Sequence, residues 1–311
     1  MINPSKPYNI KPTLSKALFH PKYLLTWSGL LILFLLSKLP FKLTLLMGKI
    51  LGLLLYLFAK KRRKIAEINL QLCFPKKNKT AIQNLTKKTF VNIGKGIFEM
   101  AIAWWASDLK IKKIKTSFQK KNILLEAANN NEGVLVLIKH STHLEMDLRI
   151  ISQELKLGGM YKPQTNLVVN FFMIKARNSY FTGTVDNSEA VKAIRWMKNG
   201  LHFLYAADQD YGKNVSSFIK FFDIDAATVE FPGFISEQGI KTIFLNVDRN
   251  DLEYRVEIIE LGNFLESNDF LKKMNLEYEK AIKNYPDQYL WVHRRFKSSK
   301  NQSIKIYPEK V

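Results

Sequence analysis

The sequence has a single cysteine, Cys73, so it can form no internal disulfide, which fits a reducing compartment. Neither G-x-x-x-x-G-K-[ST] nor G-x-G-x-x-G occurs, so the glycine loops that cradle nucleotide phosphates are missing and no cofactor is expected. The H-E-x-x-H pattern of a helical zinc site is missing as well, and no metal is expected. No apolar run reaches the roughly 20 residues that cross a bilayer upright. Residues 23–36 are 14 positions without a charge, and residues 43–59 are 17 positions with one charge, Lys49. Acids are nearly absent from the first quarter of the chain: residues 1–80 carry 15 Lys and Arg against Glu67 alone, which places +14 of the formal +21 there.

What is present in that basic region is apolar sequence with charged flanks. Lys49 can snorkel, and Tyr23, Trp27 and Tyr56 suit an interface, so a single span, a short hairpin and a surface-embedded pair are all open. Lys60, Lys61, Arg62, Arg63 and Lys64 follow where a signal peptide would show a small-residue cleavage site. Such a cluster holds its flank on the cytoplasmic side and attracts anionic lipid. Residues 1–59 are therefore expected to be a basic tail with a helical membrane anchor, and residues 60–311 a catalytic domain. The competing reading is two core helices followed by a solvated charge run. Binding to nucleic acid is not expected, because the excess charge flanks apolar runs rather than being interleaved with aromatics on a reading surface.

Beyond residue 60 the pattern alternates between helix and strand. Helices are expected over residues 63–72, 80–107, 190–199 and 269–284, and strands over 134–138, 202–206, 242–247 and 254–261. Residues 1–18 and 297–311 read as loose ends. The fold class that follows is α/β, a mostly parallel central sheet flanked by helices, with its site at the carboxyl ends of the strands.

The most informative stretch is His140-Ser-Thr-His143-Leu-Glu145-Met-Asp147-Leu-Arg149, directly after the apolar run at 134–138. On one helix the five residues from His140 to Glu145 would turn through about 500°, so the two side chains would diverge. Across a strand-to-helix turn, by contrast, an imidazole can project from the strand end while a carboxylate reaches back to it, as an oriented general base requires. Acids in a helix's first turn also serve as plain capping charges, so Glu145 and Asp147 have that alternative. Asp208, in Ala207-Asp-Gln-Asp-Tyr-Gly212, lies after a second strand, where turn chemistry competes with a binding role. Arg149, one turn beyond Glu145, and Arg177 are candidates for phosphate or oxyanion contact, with structural ion pairs as the alternative. His143, His202 and His293 are expected to pack or hydrogen-bond.

Taken together, Leu39-Pro40, Arg62-Arg63, Cys73-Phe74-Pro75, the His140–Arg149 block, Asp208-Gln-Asp-Tyr-Gly212, Ala226-Ala-Thr228 and Trp291-Val-His-Arg-Arg-Phe-Lys297 resemble the late acyltransferases of lipid A biosynthesis. The likeness runs from about residue 19 to 297. H-x4-D/E alone marks only the wider glycerolipid-acyltransferase superfamily, and the Asp208–Gly212 block with the Trp291–Lys297 motif narrows it. Residues 229–233, Val-Glu-Phe-Pro-Gly, depart from the small or hydroxyl-rich stretch expected there, which bears on the acyl pocket.

The resemblance implies an inner-membrane enzyme, its catalytic domain on the cytoplasmic face, that moves a fatty acyl group from acyl carrier protein to a hydroxyl on a hydroxyacyl chain of a Kdo-bearing lipid A precursor. His140 is then the base and Glu145 its orienter, with Arg149, Arg177 and Asp208 as substrate-binding or oxyanion residues. Acyl carrier protein, the precursor and anionic membrane lipids are the partners expected. Two other readings remain beside it, an acyltransferase for a lysophospholipid or ornithine-type lipid and a basic membrane scaffold.

Overall fold

The computed structural model describes residues 7–262, 264–300 and 306–308, apart from the side chains of 128 and 129. The chain opens with the apolar helices α1 (Leu24–Leu36) and α2 (Phe41–Phe58), then α3 (Lys60–Cys73), the long α4 (Lys79–Trp105) and the short α5 (Asp108–Lys112). Alternation follows: β1 (Thr116–Gln119), α6 (Asn122–Asn129), β2 (Leu135–Ile138), α7 (Leu144–Ile151), β3 (Leu157–Tyr161), α8 (Leu167–Arg177), β4 (Gly183–Asp186), α9 (Ala190–Lys198) and β5 (His202–Ala206). A hairpin, β6 (Ser216–Phe221) with β7 (Ile224–Val229), leads to α10 (Phe231–Glu237), β8 (Thr242–Asn250), β9 (Glu253–Glu260) and α11 (Ser267–Asn284).

Seven strands form one sheet in the order β1-β9-β8-β2-β5-β3-β4. All neighbours run parallel except β8 and β9, which are joined by the tight turn at Asp251 and pair antiparallel. The central strand β2 is buried at every position, as an apolar Leu-Val-Leu-Ile run between two covered faces requires. One face packs around Trp196, Phe203, Phe244, Tyr278 and Trp291, and the other around Ile102, Met146, Leu148, Ile151 and Val256. The mixed α/β class with a mostly parallel sheet is thus as read from the sequence.

Several strands were not legible. β3 carries Gly158 and Gly159, which depress strand propensity; their Cα hydrogens instead leave room for Leu201, Phe203 and Phe181. β1, β4 and the β6–β7 hairpin are short or carry no clean alternation. The expectation of a loose N-terminal end is corrected for residues 8–10. Tyr8 O accepts from Thr184 N, Ile10 N donates to Thr184 Oγ1, and the Tyr8 ring meets Trp196 edge-on at 5.6 Å, so the segment docks along β4. At the other end, Ser298 is held by Asp210 and Tyr307 is buried, while residues 301–305 and 309–311 lie outside the described ones.

Of the N-terminal helices, α2 alone is long and apolar enough to cross a membrane. One of its faces lies on α4 through glycines: a Cβ at Gly94 would sit 2.2 Å from Gly48 O, so the two backbones touch where no side chain intervenes. The outer faces stay apolar and open, with Leu25, Leu31, Ile32 and Leu35 on α1 and Leu46, Ile50, Leu57 and Phe58 on α2 all exposed. Lys110 Nζ ties the connection between them by donating to Ser37 O at 2.6 Å and Leu39 O at 2.9 Å. The first two helices therefore pack into the rest of the molecule on one side and present hydrocarbon on the other.

Candidate active site

The site follows from strand register. β2 and β5 are parallel neighbours with Ile138 opposite Ala206. Counting two residues beyond each strand end gives His140 and Asp208, which arrive side by side at the carboxyl edge of the sheet. The Asp208 carboxylate grips His140 twice: Oδ1 is 2.6 Å from the imidazole Nδ1, and Oδ2 accepts the His140 backbone N–H at 2.9 Å. Asp208 is fully buried, which by itself would raise its pKa, but the imidazole and the N–H donors outweigh burial and hold the carboxyl below its usual value. With Nδ1 committed, Nε2 is the ring atom left for a reacting group, and the His140 side chain keeps 17% of its surface exposed.

This corrects the expected partner of His140. Glu145, the second residue of α7, makes no hydrogen bond to His140. Its Oε1 takes the Arg177 guanidinium at 2.5 Å, and its Oε2 accepts from Trp104 Nε1 at 2.9 Å and Tyr180 Oη at 3.4 Å. The ends of α4 and α8 converge on α7 there and draw the carboxylate away from the turn. Burial works against the Arg177 charge, yet Glu145 and Tyr180 beside it raise its pKa, so the cation is firmly held. Arg177 Nε has no partner among the described residues. Arg149 is buried, pairs with the carboxylate of Asp108 and lies over the Tyr180 ring at 5.2 Å. Arg149, Arg177, Glu145 and Tyr180 thus form one linked cluster, and Asp208 alone of the predicted residues touches His140.

Sequence reasoning missed what holds the turn in place. Lys139, buried beside the base, donates from Nζ to Asn246 Oδ1, to Val247 O at 2.8 Å and to Asp248 Oδ1 at 2.9 Å, and so pins the end of β2 to β8. From the C-terminal side, Leu290 N donates to His140 O at 3.0 Å, Thr142 N to Gln288 O at 2.7 Å, and Tyr289 Oη to Asp208 O at 3.1 Å. Beneath the turn, α4 presents Gly96, where a Cβ would lie 1.7 Å from Thr142 O.

His143 is buried under the turn, with Nδ1 at 2.6 Å from Asp147 Oδ1 and Nε2 at 2.9 Å from Gln288 Oε1. Gln288 is fixed by Arg249, whose N–H donates to its Oε1 while its Nε2 donates to Arg249 O. Gln288 Oε1, held by the Arg249 N–H, therefore faces an Nε2–H of His143. Burial would lower its pKa, but Asp147 overrides it and raises the value. The rings of His140 and His143 are thus engaged with different carboxylates, and among the described residues no three His, Cys, Asp or Glu side chains converge as a ligand set.

His293 is the other residue the sequence undervalued. Its backbone N–H reaches Leu290 O at 3.3 Å, its Nε2 is buried without a hydrogen-bond partner among the described residues, and its pKa is lowered to about 4 by burial and then by His140. A neutral imidazole therefore stands beside the base. The signal lay in the Trp-Val-His-Arg-Arg-Phe-Lys motif itself, whose aromatic residues Trp291 and Phe296 are fully buried core.

Comparison with known proteins bears on what this arrangement serves. The family model described as bacterial lipid A biosynthesis acyltransferase matches residues 11–298. The lipid A biosynthesis lauroyltransferase of Escherichia coli K12 is 29% identical over 294 residues, covering 92% of this chain and 96% of its own length. The palmitoleoyltransferase of the same strain is 28% identical over 290 residues, 91% and 94% of the two chains, and the myristoyltransferase 25% identical over 311 residues, 96% and 95%. With His140, Asp208 and the C-terminal motif all inside the matched region, the chain belongs to the bacterial lipid A biosynthesis acyltransferase family.

Proposed function

We propose that this acyltransferase moves a fatty acyl group from acyl carrier protein to a hydroxyl on a hydroxyacyl chain of a Kdo-bearing lipid A precursor, at the cytoplasmic face of the inner membrane, with His140 as general base. The observation that carries the mechanism is the His140 Nδ1 to Asp208 contact of 2.6 Å, because it fixes the tautomer that leaves Nε2 as the proton acceptor. Nε2 takes the hydroxyl proton as the oxygen attacks the thioester carbonyl carbon. Collapse of the tetrahedral oxyanion re-forms the carbonyl, breaks the carbon–sulfur bond and releases thiolate, which recovers the proton from the imidazolium. Ester and free thiol result, and no residue becomes acylated.

Arg177, anchored by Glu145, and Arg149 beside it are the cations we assign to the developing oxyanion or to substrate phosphate. Glu145 acts in this scheme through Arg177 and is a positioning residue. The exposed leucines of α1 and α2, with the basic cluster at 60–64 next to them, support seating on anionic lipid. The test is an assay of the purified protein with acyl-carrier-protein donors and three acceptors in parallel: the Kdo-bearing precursor, a lysophospholipid and an ornithine-type lipid. Product mass is read by mass spectrometry. Transfer confined to either of the last two acceptors would refute the acceptor assignment.

A further inference from the structure

A cavity opens between the segment that follows Asp208 and the segment that follows His293. It has a volume of about 570 Å³ and lies between Tyr211–Val215 on one side and Arg294 to Ser299 on the other, with Ile306 and Tyr307 behind. Its lining carries three cations, Lys213, Arg294 and Lys297, together with the hydroxyls of Ser298 and Ser299, and no acid among the described residues. The nearest acid, Asp210, has its carboxylate turned to Ser298 N at 2.6 Å, Ser298 Oγ at 2.9 Å and Gly212 N at 2.9 Å, so it ties the two walls together. The Arg294 guanidinium lies over the Tyr307 ring at 5.8 Å.

Both walls continue directly from the catalytic residues. Arg294 follows His293, the imidazole beside His140, and Lys213 is five residues beyond Asp208, at most about 18 Å of extended chain. A group seated in the basin is therefore within one molecule's length of the hydroxyl at His140. The volume falls in the range of ordinary ligand sites, roughly 300–1,000 Å³. It exceeds what a lone inorganic anion needs. The ammonium groups of Lys213 and Lys297 and the Ser299 hydroxyl face one space beside the Arg294 guanidinium, a cationic donor lining that matches a phosphate ester.

We infer that this basin seats a phosphate group of the acceptor while the acceptor's hydroxyl lies at His140. The inference rests on the proposed acyl transfer, but its binding can be read without turnover. Lys213 and Lys297 are exposed and make no contact in the core, so the double variant Lys213→Gln/Lys297→Gln tests the basin in a folded protein, checked by its melting temperature.

Titration with inorganic pyrophosphate, followed by phosphorus NMR, is expected to show saturable binding to the parent protein and binding weakened about tenfold or more in the variant, the scale of one lost charge-assisted contact. Equal binding to both proteins, or none to the parent, would overturn the site. In the transfer assay the variant's KM for the phosphorylated acceptor is expected to rise by a similar factor while the KM for the acyl-carrier-protein donor stays fixed. The ratio of kcat/KM between phosphorylated and dephosphorylated acceptors should fall accordingly. A rise confined to the donor's KM would overturn the acceptor assignment and give the basin to the phosphodiester of the donor's prosthetic arm. Absence of all transfer by the parent protein would count against the proposed function, and the pyrophosphate titration would still decide the basin.

Discussion

His140 and Asp208 stand at equal offsets past Ile138 and Ala206, a register pair of two adjacent parallel strands, and the Asp208 carboxylate holds both the ring and the backbone N–H of His140. Strand pairing thus sets the contact before any side chain is chosen. His140→Ala is expected to lower transfer by about 10²- to 10⁴-fold with folding and membrane association intact, since the lost group acts in proton transfer. Asp208→Asn, which keeps the shape but can present the wrong tautomer, should lower kcat to a similar degree with little change in acceptor KM. Retention of more than about a tenth of the activity by either variant would remove His140 from the role of base.

Glu145→Gln should act differently. It leaves the Arg177 cation without its carboxylate in a site where each side chain is only 14% exposed. Removing one partner of a buried pair costs about 3–5 kcal/mol, and the residual exposure puts this pair near the low end. The melting temperature should fall, and the double variant Glu145→Gln/Arg177→Met should recover part of the loss. A melting temperature unchanged by Glu145→Gln would mean that the pair carries no stability.

The histidines should titrate far apart. His293, lowered to about 4, is neutral at every pH near neutrality, whereas His143 is raised above its usual value by Asp147. For His293 the unfolded chain binds more protons than the folded one between about pH 4 and the ordinary value of 6.5. Its contribution to stability is therefore present above that window and is lost as pH falls through it. His143 has the opposite sign: its contribution is full below the ordinary value and is lost as pH rises through its raised one. Imidazole NMR titrations of the parent protein, with His293→Gln to assign the low midpoint, would check both.

Gly96 offers a structural test of the turn. Gly96→Ala puts a methyl where Thr142 O stands, so α4 or the turn at 140–143 must move. A loss of about 1–3 kcal/mol is expected from overpacking. Activity should fall by more than the unfolded fraction explains, because the displaced segment carries His140. Full activity in the folded fraction would show that the turn tolerates the shift.

For α1 and α2, charged replacements on the exposed outer faces are more informative than deletion, since removal of α2 would also uncover α4 around Gly94. Leu25→Glu with Leu46→Glu should weaken sedimentation with anionic vesicles and leave the melting temperature within about 0.5 kcal/mol equivalents, as befits exposed positions. Unchanged sedimentation would assign those faces to another partner.

Legibility in the sequence tracked how local each signal was. The buried strand run at 134–138, the strand at 202–206 and the helix ended by Gly200 carry their patterns within a few residues and were readable; Gly200 indeed takes a positive φ of 86°. The position of His140 and Asp208 at strand ends was readable for the same reason. Which carboxylate holds the imidazole was not, because it depends on β2 and β5 being neighbours and on Trp104, Arg177 and Tyr180 arriving from elements 41, 32 and 35 residues from Glu145. The packing or hydrogen-bonding role expected of His143 had no partner legible nearby in the chain. One of its partners, Gln288, is 145 residues away, and His143→Ala, which leaves Asp147 and Gln288 buried without it, is expected to be destabilising.

The strap from Gln288 to Ser298 across the His140 turn also imposes an order in time. Leu290 leaves the ribosome 150 residues after His140, to which it bonds, and at roughly 5–20 residues per second that is a delay of about 8–30 s. The exposed apolar faces of α1 and α2 are made long before that, while the His140 turn still lacks the segment that frames it. The site at the carboxyl edge of the sheet is therefore framed only after every strand of the sheet has been made.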